Sequence, residues 1–218
     1  VSVAVGLAIY DCIKSLYNIE VNLKWPNDIL VDNQKLAGVL VELDGQPEGP
    51  CHLVIGIGLN IAMPERASEY IDQAWVDLKR LGLEVNKNEL AAALTFYLEK
   101  RLAQYQASGL SEMYQEWNKV NAFAEQLITL HTGQKAWQGI CVGIDKQGGL
   151  VLRQDGIEKT YYGGEISVRK SMNSSFQCFL YFLNTRFVVF YSIVFFPISF
   201  VPLYKFTIFA VEIMTGWK

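Results

Sequence analysis

Apolar residues in the first seventeen positions recur mostly at steps of three and four, at Val1, Val5, Ala8, Ile9, Cys12, Ile13 and Leu16. That spacing predicts a helix with one buried face. The pattern then shortens. Residues 21–25 read as a strand stopped by Pro26, and Ile29-Leu30-Val31 as a strand entering a turn at Asp32-Asn33-Gln34. Residues 35–43 and 53–57 are two further strands, dense enough in Val, Leu and Ile to predict central places in a sheet buried on both faces. Asn86 with Glu89 three residues on resembles a capping box. Leu90, Ala93, Leu94, Tyr97, Leu98 and Leu102 then continue at helical spacing until Gly109 stops them. Residues 110–120 predict a shorter helix. From about Ala124 the pattern alternates, with candidate strands at 126–130, 136–144 and 150–153 separated by turns at Thr132-Gly133, Gly148-Gly149 and Asp155-Gly156. A small β-barrel suits that punctuation. No internal repeat is present.

A chain of 218 residues accommodates one medium domain and a small one. The division predicted is 1–122, 123–170 and a tail at 171–218. Residues 187–204 of the tail carry no charge and many aromatics, about the length of a membrane span. Pro197 and Pro202 interrupt it and Ser192 and Ser199 dilute it, so a hydrophobic tail foreign to the rest of the fold is the preferred expectation over a membrane anchor. The net charge of −3 and the scattered Lys and Arg residues predict no nucleic-acid face. Cys12, Cys51, Cys141 and Cys178 are far apart, and His52 and His131 complete no cluster with them, so no metal site is expected. Reduced thiols, structural histidines and, with no secretory signal at the start, a cytoplasmic location are the expectation. Val1 in place of Met, with a helix already under way, leads us to expect further natural sequence upstream.

Three segments carry chemistry. In Lys24-Trp25-Pro26-Asn27-Asp28, a lysine near a strand end precedes a proline-fixed turn bearing an amide and a carboxylate. Asn27 offers a donor and an acceptor, and Asp28 could hold a cation or orient a lysine. An ordinary surface turn explains the same residues. In Lys35-Leu36-Ala37-Gly38, a lysine opens an apolar strand with small residues at its start, leaving room for an anionic ligand beside an ammonium. A solvated lysine with Gly38 serving packing or a bulge is the alternative. In Gly56-Ile57-Gly58-Leu59-Asn60, two glycines expose backbone and Asn60 adds a polar edge. Ile61 occupies the place of the third glycine of a dinucleotide fingerprint, and close strand packing explains the pair as well.

In this order and spacing the three segments closely resemble the catalytic domain of biotin protein ligases. The resemblance continues through Gly143-Ile144-Asp145-Lys146-Gln147-Gly148 and Gly163-Gly164-Glu165-Ile166-Ser167, covering residues 1–170 and none of the tail. It implies an α+β fold: a mixed β-sheet with packed helices, like a class II synthetase core, followed by a small SH3-like β-barrel. It implies ATP, biotin and Mg2+, the last to neutralise and orient phosphates, and two steps: biotin and ATP give biotinyl-5'-AMP, then the ε-amino group of a lysine on a biotin carboxyl carrier protein attacks the mixed anhydride. Lys35 would be the catalytic lysine at the reacting carboxylate. Gly56 and Gly58 would line the biotin pocket, Asn60 would lie near the adenylate, Asn27 and Asp28 would face the nucleotide, and Lys24 and Gly38 would join the site less directly. The family's Gly- and Arg-rich loop has no counterpart in these 218 residues, so the resemblance implies little or no activity for them alone. A homodimer built by pairing sheet edges is a further expectation. Lipoate protein ligase, a biotin-sensing regulator and a membrane-associated degenerate protein are the competing readings.

Overall fold

The computed structural model describes residues 1–45, 51–69, 71, 73–132, 135–162, 166–170, 196–197, 207–208 and 210–215. Helix α1 (Ser2–Tyr17) buries Leu7, Ile9, Cys12 and Ile13 and ends at Asn18, whose left-handed backbone (φ 52°) turns its N–H onto the Lys14 carbonyl. Four strands follow as an antiparallel meander: β1 (Asn22–Lys24), β2 (Asp28–Val31), β3 (Gln34–Gly45) and β4 (Cys51–Ala62). Asp32 and Asn33 alone join β2 to β3, both at positive φ (49° and 63°). That two-residue loop matches the right-handed twist of the strands, and Asp and Asn tolerate it best among residues with a side chain.

The expectation that β3 and β4 are buried on both faces is wrong. Val39 on β3 and Leu53, Ile55, Ile57 and Leu59 on β4 are buried, whereas Leu40 and Val54 are exposed, at 60% and 37%. The strands are dense in aliphatic residues, yet helix α1 packs against only one side of the sheet. The other side is stripped down by Gly38, Gly56 and Gly58.

Helix α2 (Lys87–Ser108) starts where expected, with the Asn86 side chain accepting from the backbone N–H groups of Asn88 and Glu89 at 3.1 and 3.3 Å. Gly109 (φ 62°) ends it. Its buried stripe, Leu90, Leu94, Leu98 and Leu102, lies against α1. Helix α3 (Met113–Lys119) is shorter than the predicted 110–120. Arg101 ties all three helices, its guanidinium reaching Asp11 of α1 at 2.7 Å and Glu116 of α3 at 2.8 Å. The sequence pattern suggested no element in residues 63–85, of which 73–85 run beside the start of β3 and the end of β4, Val76 donating to the Lys35 carbonyl and Leu78 to that of Asn60. Their anchor is the buried Asp77 carboxylate, which accepts from the N–H groups of Met63 and Arg80, each at 2.7 Å.

A second antiparallel sheet comprises β5 (Leu127–Thr132), β6 (Lys135–Ile144), β7 (Leu150–Gln154), β8 (Ile157–Tyr161) and β9 (Ile166–Lys170), in the order β8-β7-β6-β5-β9. The turn expected at Asp155-Gly156 is a two-residue hairpin with both residues at positive φ. Asn118 fastens this sheet to α3: its side chain accepts from the Ile144 N–H at 2.8 Å and donates to the Ile144 carbonyl at 3.0 Å. A Cβ on Gly143 would overlap that amide, so the position needs glycine for close approach as well as for its φ of 139°.

Of the tail, β10 (Phe196–Pro197) pairs with β11 (Thr207–Ile208), and β12 (Ala210–Thr215) runs parallel to β4, which makes the first sheet mixed. Among the described residues no helix is long and apolar enough to cross a membrane. Gly133, Gly163-Gly164-Glu165, Cys178 and most of the apolar stretch at 187–204 lie outside the described residues.

Two outcomes follow for the packed core. Burial, reinforced by the charge of Asp11, pushes the Cys12 thiol up to about 12, and burial raises that of Cys141. Iodoacetamide at pH 8 should therefore leave both unlabelled in the native chain, read by peptide mass spectrometry, and modify them once denaturant is added. Asn118→Ala deletes both hydrogen bonds to Ile144 and should cost roughly 1–3 kcal/mol in urea unfolding. A loss below about 0.5 kcal/mol, within the range of ordinary surface substitutions, would mean that the second sheet docks without this amide.

Candidate functional site

The open face of the first sheet carries the candidate residues in a single row. Lys24 pairs with Asp28 across β1 and β2, Asp28 with Gly38 across β2 and β3, and Gly38 with Gly58 across β3 and β4. Residues opposite one another in an antiparallel ladder point to the same face. Two charged side chains therefore stand beside two glycines, with Gly56 opposite Leu40 in the next row of that face.

Lys35 enters the row through an irregularity. The β2–β3 register shifts between Ile29 and Leu30, and Lys35 lies at the shifted end. Its side chain runs back along β3, so that a Cβ built on Gly38 would meet Lys35 Cε and Nζ at 3.1 Å. Gly38 is the space the lysine occupies. Lys35 Nζ rests 2.6 Å from Asp28 Oδ1, and Lys24 Nζ 2.8 Å from Asp28 Oδ2. Burial alone would raise the Asp28 carboxyl, but the charges and hydrogen bonds of Lys35 and Lys24 outweigh it and hold the group below the usual carboxylate range. Among the described residues a Cβ on Gly58 would meet the Gly38 carbonyl alone, at 4.0 Å, so the floor beyond Lys35 is open to them.

Asn60 serves this arrangement from the backbone side. Its Nδ2 donates to the carbonyls of Lys35 and Val76, both at 3.1 Å. Lys35 also forms a parallel bridge with Trp75, accepting from the Val76 N–H at 3.0 Å and donating to the Ala74 carbonyl at 2.9 Å. Asn60 thus fixes the main chain from which the lysine springs. Asn27 is spent similarly: its Nδ2 donates to the Val39 carbonyl at 2.7 Å, and its own carbonyl accepts from the Val39 N–H at 2.9 Å.

Every sequence-predicted site residue therefore lies on or beside this one face. Lys35, Asp28, Lys24 and Gly38 are in direct contact, Gly58 and Gly56 extend the floor, and Asn60 and Asn27 hold the strand ends. Pattern reading missed Asp77, Trp75 and the 63–85 segment behind Lys35, and nothing in their spacing marks them. Trp75 does stack under the Arg80 guanidinium, 3.9 Å from the ring centroid, an aromatic-cation pair that only the fold brings together. Among the described residues no group of three or more His, Cys, Asp or Glu side chains gathers to hold a metal.

Residues 1–60 match the Biotin/lipoate A/B protein ligase family, and residues 125–169 match the Biotin protein ligase C terminal domain. The Bifunctional ligase/repressor BirA of Escherichia coli (strain K12) is 38% identical over 170 residues, covering 78% of this chain and 53% of the relative. A Biotin--[acetyl-CoA-carboxylase] ligase of Mycobacterium tuberculosis is 33% identical over 171 residues, covering 76% of this chain and 60% of that protein. The chain spans about half the length of the curated relatives it matches. Its fold is that of the biotin protein ligase of Aquifex aeolicus solved in complex with biotin and ATP, with a TM-score of 0.68 at 23% identity over 78% of this chain and 71% of that one. The first matched segment is described as biotin or lipoate protein ligase and the second as the C-terminal domain of biotin protein ligase, and over both the chain is similar to biotin protein ligases.

Proposed function

We propose that this chain carries the acid-activating face of an ATP-dependent biotin protein ligase, which forms biotinyl-5'-AMP from biotin and ATP and passes the biotinyl group to a lysine of a biotin carboxyl carrier protein. The observation that carries the reading is the Lys35 ammonium laid over Gly38 at the edge of an open glycine floor. A carboxylate that becomes an acyl phosphate gathers negative charge on its oxygens in the transition state. A cation already positioned at that centre, partly shielded from water, lowers the barrier without reorganising first. Gly56 and Gly58 let a flat acyl chain approach the backbone, and Leu40 opposite Gly56 gives it an apolar side. In this reading Asn60 and Asn27 keep Lys35 and β3 in place while ATP is bound beside them.

Mg2+ belongs to this proposal only as the companion of ATP. Both oxygens of Asp28 are taken by lysines, and no acidic cluster is gathered among the described residues, so these residues do not fit a protein-built magnesium cage. We also propose that residues 123–170 form the SH3-like barrel of the family and that residues 1–122 are part of its catalytic domain. The match of residues 125–169 to a domain specific to biotin protein ligases favours biotin over lipoate as the acid.

The test is biotin-dependent exchange of labelled pyrophosphate into ATP, run on the 218-residue chain and on the same chain extended to the full length of its relatives. Exchange in the extended protein that falls about 100-fold in Lys35→Ala establishes adenylation and the part of Lys35 in it. Exchange that needs lipoate and ignores biotin overturns the reading. Asn60→Ala takes the amide donor from the Val76 carbonyl and leaves the Lys35 carbonyl with the Val76 N–H alone of its two donors described here, and should cost roughly 1–3 kcal/mol in thermal unfolding. It should lower kcat more than it raises KM for biotin, because it disturbs the placement of the cation rather than the glycine floor.

A further inference from the structure

Asp28 is flanked by two lysines, so the trio carries one positive charge more than it can neutralise. The lysines are not equivalent. Lys24 is 9% exposed and Asp28 11%, whereas Lys35 is 28% exposed and faces the open floor. A buried carboxylate stripped of its only cation is strongly disfavoured, so a lone Asp28–Lys35 pair would tie Lys35 down. With Lys24 on the second oxygen, Lys35 can leave Asp28 for a ligand while the carboxylate stays paired.

We propose that Lys24 is a positioning residue: by holding Oδ2 of Asp28 it releases the Lys35 ammonium to exchange between Asp28 and an anionic ligand on the glycine floor. The proposal deepens the adenylating reading and rests on it for the identity of that ligand, a carboxylate or acyl phosphate. Among the described residues the ammonium of Lys24, inside the sheet end beside β2, is paired with Asp28. Its effect on the reaction therefore passes through Lys35.

The test reads the nucleophilicity of Lys35 without biotin or ATP, so its outcome is separate from that of the exchange assay. The 218-residue chain is treated briefly with limiting acetic anhydride, and acetylation at Lys35 is measured by peptide mass spectrometry against the exposed Lys87 and Lys146 as internal rulers. An amine engaged by a single buried carboxylate is withheld from the reagent and reacts slowly. Lys24→Met should slow acetylation of Lys35 at least threefold, while Lys24→Arg stays within twofold of the wild type. Lys24→Met combined with Asp28→Asn should restore the rate to the wild-type value or above. A merely structural lysine predicts the opposite sign, since loosening the strand ends would expose Lys35 and speed its acetylation. Unchanged or faster labelling in Lys24→Met overturns the proposal, as does a double variant that labels as slowly as the single one. Lys24→Gln, which removes the charge and keeps a donor, is read in the same way and decides the matter should Lys24→Met not fold.

Discussion

A sheet that presents a bare face on one side has to be secured from the other. Glycine inside a strand gives up side-chain packing and loses more backbone entropy on folding than other residues, at roughly 0.5–1 kcal/mol each relative to alanine. Gly38, Gly56 and Gly58 accept that cost within two adjacent strands. What offsets it is the alternate set, Val39, Leu53, Ile55, Ile57 and Leu59, buried in the core that α1 shares with the sheet. Because side chains alternate with period two, a slip of one residue would put the aliphatic set on the open face and the glycines against the helix. The same register that closes the core therefore brings Lys24, Asp28, Gly38 and Gly58 into line.

That dependence also explains how the charges tolerate their position. Two ammonium groups and one carboxylate near a sheet surface are costly to desolvate unless each has a partner. Asp28 supplies one oxygen to each lysine, and Gly38 gives the Lys35 side chain room to reach it. Any side chain at position 38 would displace Lys35 before it disturbed the strand. The small residue after the lysine is thus an electrostatic requirement as much as a steric one.

Much of this was legible in the sequence, and the reasons are local. The helix caps at Asn86 and Gly109 and the turns at Asp32-Asn33-Gln34 and Asp155-Gly156 follow from backbone chemistry confined to a few residues. The candidate residues were nameable because three segments, each with an ordinary structural explanation of its own, together resemble one family in their order and spacing. The clamp on Asp28 was not legible: spacings of four and seven residues say nothing until three strands pair and the β2–β3 register shifts. Strand β8 escaped because its residues are almost all exposed and show no apolar alternation. The 63–85 segment escaped because its anchor, Asp77, works through two backbone N–H groups that any residue could provide. The error about two-sided burial has the opposite cause: aliphatic density measures how much surface a strand can bury, and the helices decide how much it does.

The second sheet is not an appendage to this arrangement. Trp25, inside the segment that carries Lys24 and Asp28, is buried and donates its indole N–H to the Gly148 carbonyl at 2.9 Å. Gly148 belongs to the turn that Asp145 closes by accepting from the N–H groups of Gln147 and Gly149, both at 2.9 Å. The turn is packed so closely that a Cβ on Gly148 would meet Leu110 at 2.9 Å, and its φ of 84° favours glycine independently. A rigid turn in one sheet thus holds the residue next to the charged row in the other, while Asn118 secures the strand leading into that turn. Because the indole, Lys24 and Asp28 lie within five consecutive residues, the second sheet cannot shift at Gly148 without moving the strand end that supports the Asp28 clamp. Two separately patterned stretches of sequence are in this way joined at the place where the candidate chemistry sits, which gives a mechanical reason for the second sheet to accompany the lysine-bearing one.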